Sequence, residues 1–394
     1  MIYFVFCVGV VNKGMNILII GNGFDLAHGL KTTYRDFLEF ANNYISEEYP
    51  LIKLKWTRIE NNGHSWIDEI EGKISFIKST IDLHNQNNAK FKEIEYLVNG
   101  NVWIDYFNKK NIDQGWIDFE NEISNVVKRF DRIRKNFIQD EENDGNDYQL
   151  SDSQKMLIAD ILSVHKEHLT FDLMHCGFEI FDRLKDILLF DLNRLTRCLE
   201  IYLSEFLEGK PEPLSIIDKL DIQKVLSFNY TDTYRRLYDK NESESSIKYD
   251  YIHGKAKPES TIDECNMIIG IEEYLNDYEM DKDNAFIEFK KFYQRIYKRT
   301  GCDYVSWLQA IKVSASGQHE AYIFGHSLDP TDGDVLRDII MNTKIKTKIF
   351  YHNKEALGKQ ITNLVKVIGE KNLISYVHGR EPKIELIEIS ESIK

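Results

Sequence analysis

The segment from Ile17 to Gly29 constrains the fold most, because it has the pattern of a strand, a glycine-rich turn and a helix start in succession. The apolar run NILII at 16–20 suits a parallel strand that is buried on both faces. The glycines of Gly21-Asn22-Gly23 permit a tight turn, and the helix that begins near Asp25 adds a favourable dipole for an anion. The pattern predicts a phosphate-binding nucleotide site. A plain strand-to-helix turn that needs a positive φ is the alternative.

Further apolar runs of strand length come late in the chain, and helical patterns separate several of them, as an α/β fold requires. The predicted strands are KVLSF at 224–228, YDYI at 249–252, MIIGI at 267–271, AYIF at 321–324, KIFY at 348–351 and IELIEI at 384–389.

The stretch between the first strand and these later ones has helical apolar spacing nearly throughout. The sequence therefore predicts a parallel sheet flanked by helices, with a long, mainly α-helical insertion after the first strand–helix unit. The expected boundaries are 15–31 plus 216–394 for a discontinuous nucleotide-binding domain, 32–215 for the insertion and 1–14 for an N-terminal extension.

Charge and cysteine content argue against nucleic-acid binding and against a structural zinc site. A formal net charge of −14 over 394 residues disfavours non-specific nucleic-acid binding, because an acidic surface repels phosphate. The five cysteines are scattered and form no CxxC pair, which indicates reduced thiols in the cytoplasm and no structural zinc.

The apolar stretch Met1 to Val11 is too short to span a bilayer and has no basic residues before it, unlike a signal peptide. We expect a cytoplasmic protein whose natural start is Met15. An extra edge strand or a membrane-touching tail is the alternative for the first residues.

Three more polar turns follow predicted strands, at the position where open parallel sheets bind ligands. Asn229 follows KVLSF and offers both a donor and an acceptor, while Asp232 lies three residues later. His253 follows YDYI and has a side chain suited to general base catalysis. The turn after AYIF contains Gly325, His326, Ser327 and Asp329. Taken one by one, these residues also suit helix caps and structural histidines; together they predict one crevice.

The sequence resembles the AbiH family of bacterial phage abortive-infection proteins. The resemblance rests on GNGFDLAHGLKTTYRDF at 21–37, GWIDFENEI at 115–123, SFNYTDT at 227–233, IHG at 252–254 and FGHSLDPTD at 324–332. It extends from Met15 to about Asn353 and implies a role in phage defence.

The same order of motifs is similar, more distantly, to the sirtuin-like NAD-binding fold, a Rossmann-like sheet. The glycine loop matches Gly21–Gly23, the catalytic His-Gly matches His253-Gly254, and the ribose loop matches Gly325-His326-Ser327. Two features depart from that pattern. Asp232 lies three rather than two residues after Asn229, and the zinc ribbon is missing, so protein deacylation is not implied.

The resemblance implies that NAD is the ligand or substrate and that the nicotinamide–ribose bond is cleaved without a metal. The phosphates would lie against Gly21, Asn22, Gly23 and Phe24, and the ribose against Gly325, His326, Ser327 and Asp329. Asn229 would position the ribose or a water, and His253 would accept a proton. Asp25, or second Asp232, would stabilise the oxocarbenium-like state.

Two other functions are open at this point. One is a nucleotide sensor without catalysis, and the other is a metal-dependent nuclease that uses Asp118 and Glu120. We expect a small-molecule nucleotide as partner, with a phage-derived trigger or a second copy of the chain as further possibilities, and no stable nucleic-acid or membrane partner.

Overall fold

The computed structural model describes residues 14–45, 89–114, 118–143, 179–239, 246–272, 283–315 and 318–389. The predicted extension at 1–14 lies outside these residues except for Gly14. The described residues divide between two compact units. The first takes its residues from Met1–Lys31, Glu208–Lys255 and Arg299–Lys394, and the second from Thr32–Leu207 and Ala256–Lys298.

The first unit is built on a six-stranded, fully parallel sheet, which confirms the predicted α/β class. Its strand order is β3-β2-β1-β4-β5-β6, so the chain winds outward in both directions from the first strand. The strands are β1 (Asn16–Ile20), β2 (Lys224–Ser227), β3 (Lys248–Tyr251), β4 (His319–Phe324), β5 (Ile345–Tyr351) and β6 (Ile384–Glu388).

Helices flank the sheet of this unit and connect its strands. They are α1 (Asn22–Ala27), α7 (Ser215–Asp218), α8 (Thr233–Tyr238), α10 (Tyr304–Val313), α11 (Gly333–Ile340), α12 (Lys354–Ile368) and α13 (Glu370–His378), with a 3₁₀ turn at Pro330–Asp332.

Alternate residues of the central strand pack into two separate cores, because successive side chains of a strand point to opposite faces. Ile17 and Ile19 pack with Trp307 and residues of α10 to α13. Leu18 and Ile20 pack on the other face, in the cluster that contains Phe24 and Tyr234. Burial on both faces explains why the strand has an uninterrupted apolar sequence rather than an alternating one.

The second unit is mainly helical. Its helices are α2 (Tyr34–Asn42), α3 (Ala89–Val98), α4 (Val102–Gln114), α5 (Phe119–Asn143), α6 (Glu179–Ile201) and α9 (Lys291–Lys298), with a π-helical turn at Tyr202–Phe206 and a 3₁₀ turn at Ile287–Phe289. Along α6, buried Arg194 pairs with Asp191 at 2.7 Å, and buried Arg197 pairs with Glu200 at 2.6 Å. Buried guanidinium groups are tolerated in such a place because carboxylates face them directly.

One predicted strand is wrong. Met267–Ile271 forms no strand, and among the described residues it makes one isolated parallel bridge, between Ile271 and Lys290. The run is buried in the second unit. A short apolar run indicates burial, but it does not distinguish a strand from an extended core segment.

Candidate functional site

The four polar turns predicted from the sequence follow β1, β2, β3 and β4, four neighbouring strands that run in parallel. Their carboxyl ends therefore meet at one edge of the sheet. From β1 the strand order runs toward β2 and β3 on one side and toward β4, β5 and β6 on the other. Parallel sheets form ligand-binding crevices where the strand order reverses in this way. The structure thus brings the predicted site residues to one edge of the first unit.

The glycines after β1 and β4 interlock the two turns. A Cβ atom added at Gly21 would lie 2.7 Å from the Cα of His326, and one at Gly23 would lie 2.8 Å from the carbonyl oxygen of Gly325. Gly325 itself has φ of +68°, and its Cβ would lie 2.1 Å from the backbone nitrogen of Phe24. Only glycine fits at these positions, because the two backbones approach each other so closely that no room is left for a side chain.

Most amides of the first turn already donate to backbone carbonyls. Gly21 N–H donates to Phe324 at 3.2 Å, Gly23 N–H to Gly325 at 2.8 Å and Phe24 N–H to Gly21 at 2.8 Å. Asn22 begins α1, and the side chain of Phe24 lies in the core. A phosphate at this turn would have to share these donors, so side chains of the crevice become the more important candidate contacts.

Asp25 is the most buried candidate carboxylate, at 1% exposure. Thr231 Oγ1 donates to its Oδ2 at 2.6 Å, and Thr233 Oγ1 donates in turn to Thr231 at 3.1 Å. Oδ1 has no hydrogen-bond partner among the described residues. Burial raises the pKa of Asp25, and the two threonines, Arg236 and Asn229 partly oppose that rise.

Asn229 places an unpaired carboxamide beside this carboxylate. The residue is only 4% exposed, and within the described chain neither its Oδ1 nor its Nδ2 makes a hydrogen bond of ordinary geometry, although the amide lies close enough to Asp25 to lower the pKa of that carboxyl. Its backbone is held by Ser227, whose Oγ accepts from Asn229 N–H at 3.1 Å and donates to its carbonyl at 3.0 Å. Since buried polar atoms are rarely left unsatisfied, this amide is suited to a ligand or a bound water.

Asp232 has a different environment from Asp25. It occupies the N-cap position of α8, but its side chain makes no capping hydrogen bond. Its carboxylate pairs with Arg236 at 2.7 Å and with Lys255 at 3.1 Å, and its side chain is 28% exposed. The two cations place positive charge at the edge of the crevice while Asp232 neutralises part of it.

His253 is held by a residue that the sequence did not single out as a site residue. Its Nε2 lies 3.0 Å from Oδ1 of Asp332, and both side chains are nearly buried. The rings of Phe228 and Tyr230 lie 5.6 and 6.1 Å from the imidazole. Nothing local in the sequence could pair these two residues, because 79 positions separate them.

The turn after β4 is itself ordered by side chains. His326 Nδ1 accepts from Leu328 N–H at 2.8 Å, and Asp329 caps the following 3₁₀ turn by accepting from Thr331 N–H at 2.9 Å. The carbonyl of Ser327 accepts from Asn363 at 3.0 Å, while its side chain is exposed. Of the predicted ribose contacts, Ser327 is thus the exposed one, whereas Asp329 acts as a cap.

Hydrogen bonds at both ring nitrogens fix the side chain of His28 at the end of α1. Its Nδ1–H donates to the Phe24 carbonyl at 2.6 Å, so its Nε2 is the acceptor that faces the Tyr238 hydroxyl at 2.8 Å. Tyr238 in turn accepts from Leu214 N–H at 2.7 Å. Burial lowers the pKa of His28 and raises the pKa of Tyr238 to about 12, which keeps both neutral.

The carboxylates considered for a nuclease lie in the second unit and have structural partners. Glu120 forms a buried pair with Lys291 at 2.8 Å, and Asp118 accepts from Asn121 N–H at 3.2 Å. Within the described ranges, no group of three or more histidine, cysteine, aspartate or glutamate side chains is arranged to hold a metal ion.

Comparison with known protein families gives a match over most of the chain. The model of the family described as Bacteriophage abortive infection AbiH matches residues 17–352. No curated protein and no solved structure gives a significant match to this chain. Of the helices that the structure describes, none combines the length and the apolar character needed to cross a bilayer.

Proposed function

Because the chain belongs to the AbiH family of bacteriophage abortive-infection proteins, we propose that it is a phage-defence effector that binds NAD in the crevice and hydrolyses the nicotinamide–ribose bond. Family membership indicates the abortive-infection role. The ligand and the reaction are inferred from the site.

One observation carries the proposal: Asp25 Oδ1 and the Asn229 carboxamide are buried polar atoms that lack protein partners within the described residues. They follow adjacent parallel strands, since Ile20 of β1 is in register with Ser227 of β2. An unsatisfied buried polar group costs about 1–3 kcal/mol. A ligand rich in hydroxyl groups, such as a ribose, would satisfy both residues.

The sheet supports a dinucleotide in particular. The order β3-β2-β1-β4-β5-β6 is the order of Rossmann-like sheets that bind dinucleotides where the winding reverses. Lys255 and Arg236 supply cations at the crevice edge, where they would attract a pyrophosphate in spite of the acidic chain.

Asp25, Asn229 and His253 each have a role in the proposed reaction. The bond between C1′ of the ribose and the nicotinamide nitrogen breaks, and the electron pair leaves with the nicotinamide. Asp25 would stabilise the cationic ribose electrostatically, and Asn229 would orient a ribose hydroxyl or the attacking water. Water forms the new bond to C1′, and His253 takes the proton that it loses.

The test uses the purified full-length chain with NAD and measures the release of nicotinamide and ADP-ribose. Asn229→Ala and His253→Ala are expected to lower turnover at least about 100-fold. Asn121→Ala and His352→Ala, at exposed positions, are the matched controls and should leave it unchanged. In infected cells the wild-type chain should deplete NAD. Cell arrest with intact NAD would overturn the proposal.

Binding without turnover is the second candidate function. It is favoured by the polar atoms of Asp25 and Asn229 that lack partners among the described residues, because such atoms suit hydrogen bonds to a bound ligand and by themselves imply no bond cleavage. A thermal shift with ADP-ribose, without nicotinamide release under any infection condition, would favour this function over hydrolysis.

A further inference from the structure

Asp332 is at the N-terminus of α11, but its side chain does not cap that helix. It occupies the N-cap position, where aspartate usually accepts from the first turn, yet its side chain makes no capping hydrogen bond. The carboxylate turns to two histidines instead. Oδ1 lies 3.0 Å from His253 Nε2, and Oδ2 lies 3.6 Å from His326 Nε2. We refer to His253, Asp332 and His326 as the His–Asp–His cluster.

The backbone decides the protonation of one histidine in this cluster. Leu328 N–H donates to His326 Nδ1 at 2.8 Å, so that nitrogen must carry a lone pair. His326 is therefore neutral, with its proton on Nε2, on the side of Asp332. Leu328 adopts φ of +59°, an uncommon conformation for a non-glycine residue. The turn thus holds an unfavourable backbone geometry at the residue whose amide binds the imidazole.

The same reasoning orients His253. Its Nε2–H donates to Asp332, so the neutral ring has its lone pair on Nδ1, which makes no hydrogen bond with the described part of the protein. Phe228 lies edge-on to both imidazoles, with ring centres 5.6 Å from His253 and 4.3 Å from His326. An apolar ring packed against both imidazoles restricts their rotation.

We propose that Asp332 is a positioning residue for the reaction at His253: it directs His253 Nδ1 toward the substrate and balances the positive charge when that nitrogen takes a proton. His326 is locked neutral by Leu328, so it does not compete for the proton, and its Nε2 lies 3.6 Å from the second oxygen of the carboxylate. This inference rests on the proposed hydrolysis of NAD.

The test is a double-mutant cycle with the purified full-length chain and NAD. Asp332→Asn should lower kcat about 100-fold or more while KM changes by less than about threefold. The double variant His253→Ala/Asp332→Asn should be no slower than His253→Ala alone, because Asp332 acts through that imidazole. Asp334→Asn, exposed on the same helix, is the control and should match the wild type. Additive losses in the double variant would overturn the inference.

A second measurement needs neither turnover nor a folded variant of Asp332. Nitrogen-15 NMR of the histidine rings in the wild-type chain at pH 8 should show the Nε2–H tautomer at both His253 and His326, assigned by loss of each signal in His253→Ala and His326→Gln. The Nδ1–H tautomer at His253 would overturn the inference. If the wild type does not hydrolyse NAD, the proposed function fails, and the tautomer then decides this inference by itself.

Discussion

Thr231 Oγ1 donates a 2.6 Å hydrogen bond to Oδ2 of Asp25, joining residues 206 positions apart in the chain. The bond ties the turn after β2 to the helix after β1, and the other carboxylate oxygen of Asp25, near Asn229, has no hydrogen-bond partner in the described part of the chain. A buried carboxylate with one oxygen held and one left open is a costly arrangement that a purely structural role would not require.

Replacing Asp25 with asparagine should stabilise the protein and abolish its reaction. Burial raises the pKa of Asp25 above its ordinary value of 3.8, so the native state holds this proton more tightly than the unfolded state does. The stability contribution of Asp25 therefore falls as pH rises above that value. The substituted carboxamide would carry no charge, and its oxygen could still accept from Thr231.

We expect Asp25→Asn to gain about 1 kcal/mol at pH 7, with a smaller gain at pH 4, measured by chemical or thermal unfolding. Turnover of NAD should drop about 100-fold or more. A less stable variant at pH 7 would show that the ionised carboxylate is a net stabilising group.

Acid should weaken the protein through His28. Its pKa is lowered from 6.5 by burial, so the unfolded state binds a proton more readily than the native state. The contribution of neutral His28 is complete above about pH 6.5 and is lost as pH falls through the lowered native pKa. Protonated Nε2 could not accept from Tyr238, which costs about 1 kcal/mol.

The measurement compares melting temperatures between pH 8 and pH 5 for the wild type and His28→Gln. The wild type should lose more stability over this range than the variant, whose side chain does not titrate. His352→Gln, at an exposed position, should keep the wild-type pH dependence. Equal pH dependence in wild type and His28→Gln would contradict the assignment.

Two glycine-to-alanine variants should have opposite effects. At Gly325 a Cβ would meet Phe24 and Gly23 backbone atoms at 2.1 and 2.4 Å, at φ of +68°, so Gly325→Ala should cost more than about 2 kcal/mol. At Gly358, within α12, a Cβ meets nothing within 4 Å, and Gly358→Ala should stabilise by about 0.5–1 kcal/mol. Unfolding curves decide both, and a tolerated alanine at 325 would mean that the two turns separate easily.

Measurements of ADP-ribose binding can decide whether Asp232 or Asp25 is the catalytic carboxylate. Because Asp232 pairs with Arg236 and Lys255, Asp232→Asn should leave more net positive charge at the edge of the crevice and tighten ADP-ribose binding by up to about fivefold. Lys255→Ala should weaken binding. Glu355→Gln, in an exposed pair with Lys359, is the control for a general charge effect. Calorimetric titration gives the affinities, and loss of turnover with unchanged binding would instead make Asp232 the catalytic carboxylate.

Much of the sheet was predictable because its strands are local features. The NILII run and its glycine turn, KVLSF and AYIF each indicate a buried parallel strand by an uninterrupted apolar run, and all three are strands that pair side by side. MIIGI is an apolar run of similar length but forms no strand, because strand pairing depends on a neighbouring strand that the run itself does not specify.

The candidate site was predictable as a place but not as a set of contacts. Residue types at strand ends identified Asn229, His253 and Asp25, because parallel strands bring their carboxyl ends to one edge. Asp332 stands at the N-terminus of a helix, and its turn toward His253 depends on a partner 79 positions away. Likewise, Gly21 and Gly23 suggested room for a phosphate, whereas backbone atoms of the turn after β4 fill that space.

The strand–turn–helix at Ile17–Gly29, the α/β class and the family follow from the order of residues alone, because hydrophobic period and turn chemistry are properties of neighbouring positions. Three features required the folded chain: the engaged amides of the glycine turn, the polar atoms of Asp25 and Asn229 that lack partners among the described residues, and the carboxylate that Asp332 turns toward two histidines. They are relations between atoms that only long-range packing brings within hydrogen-bond distance.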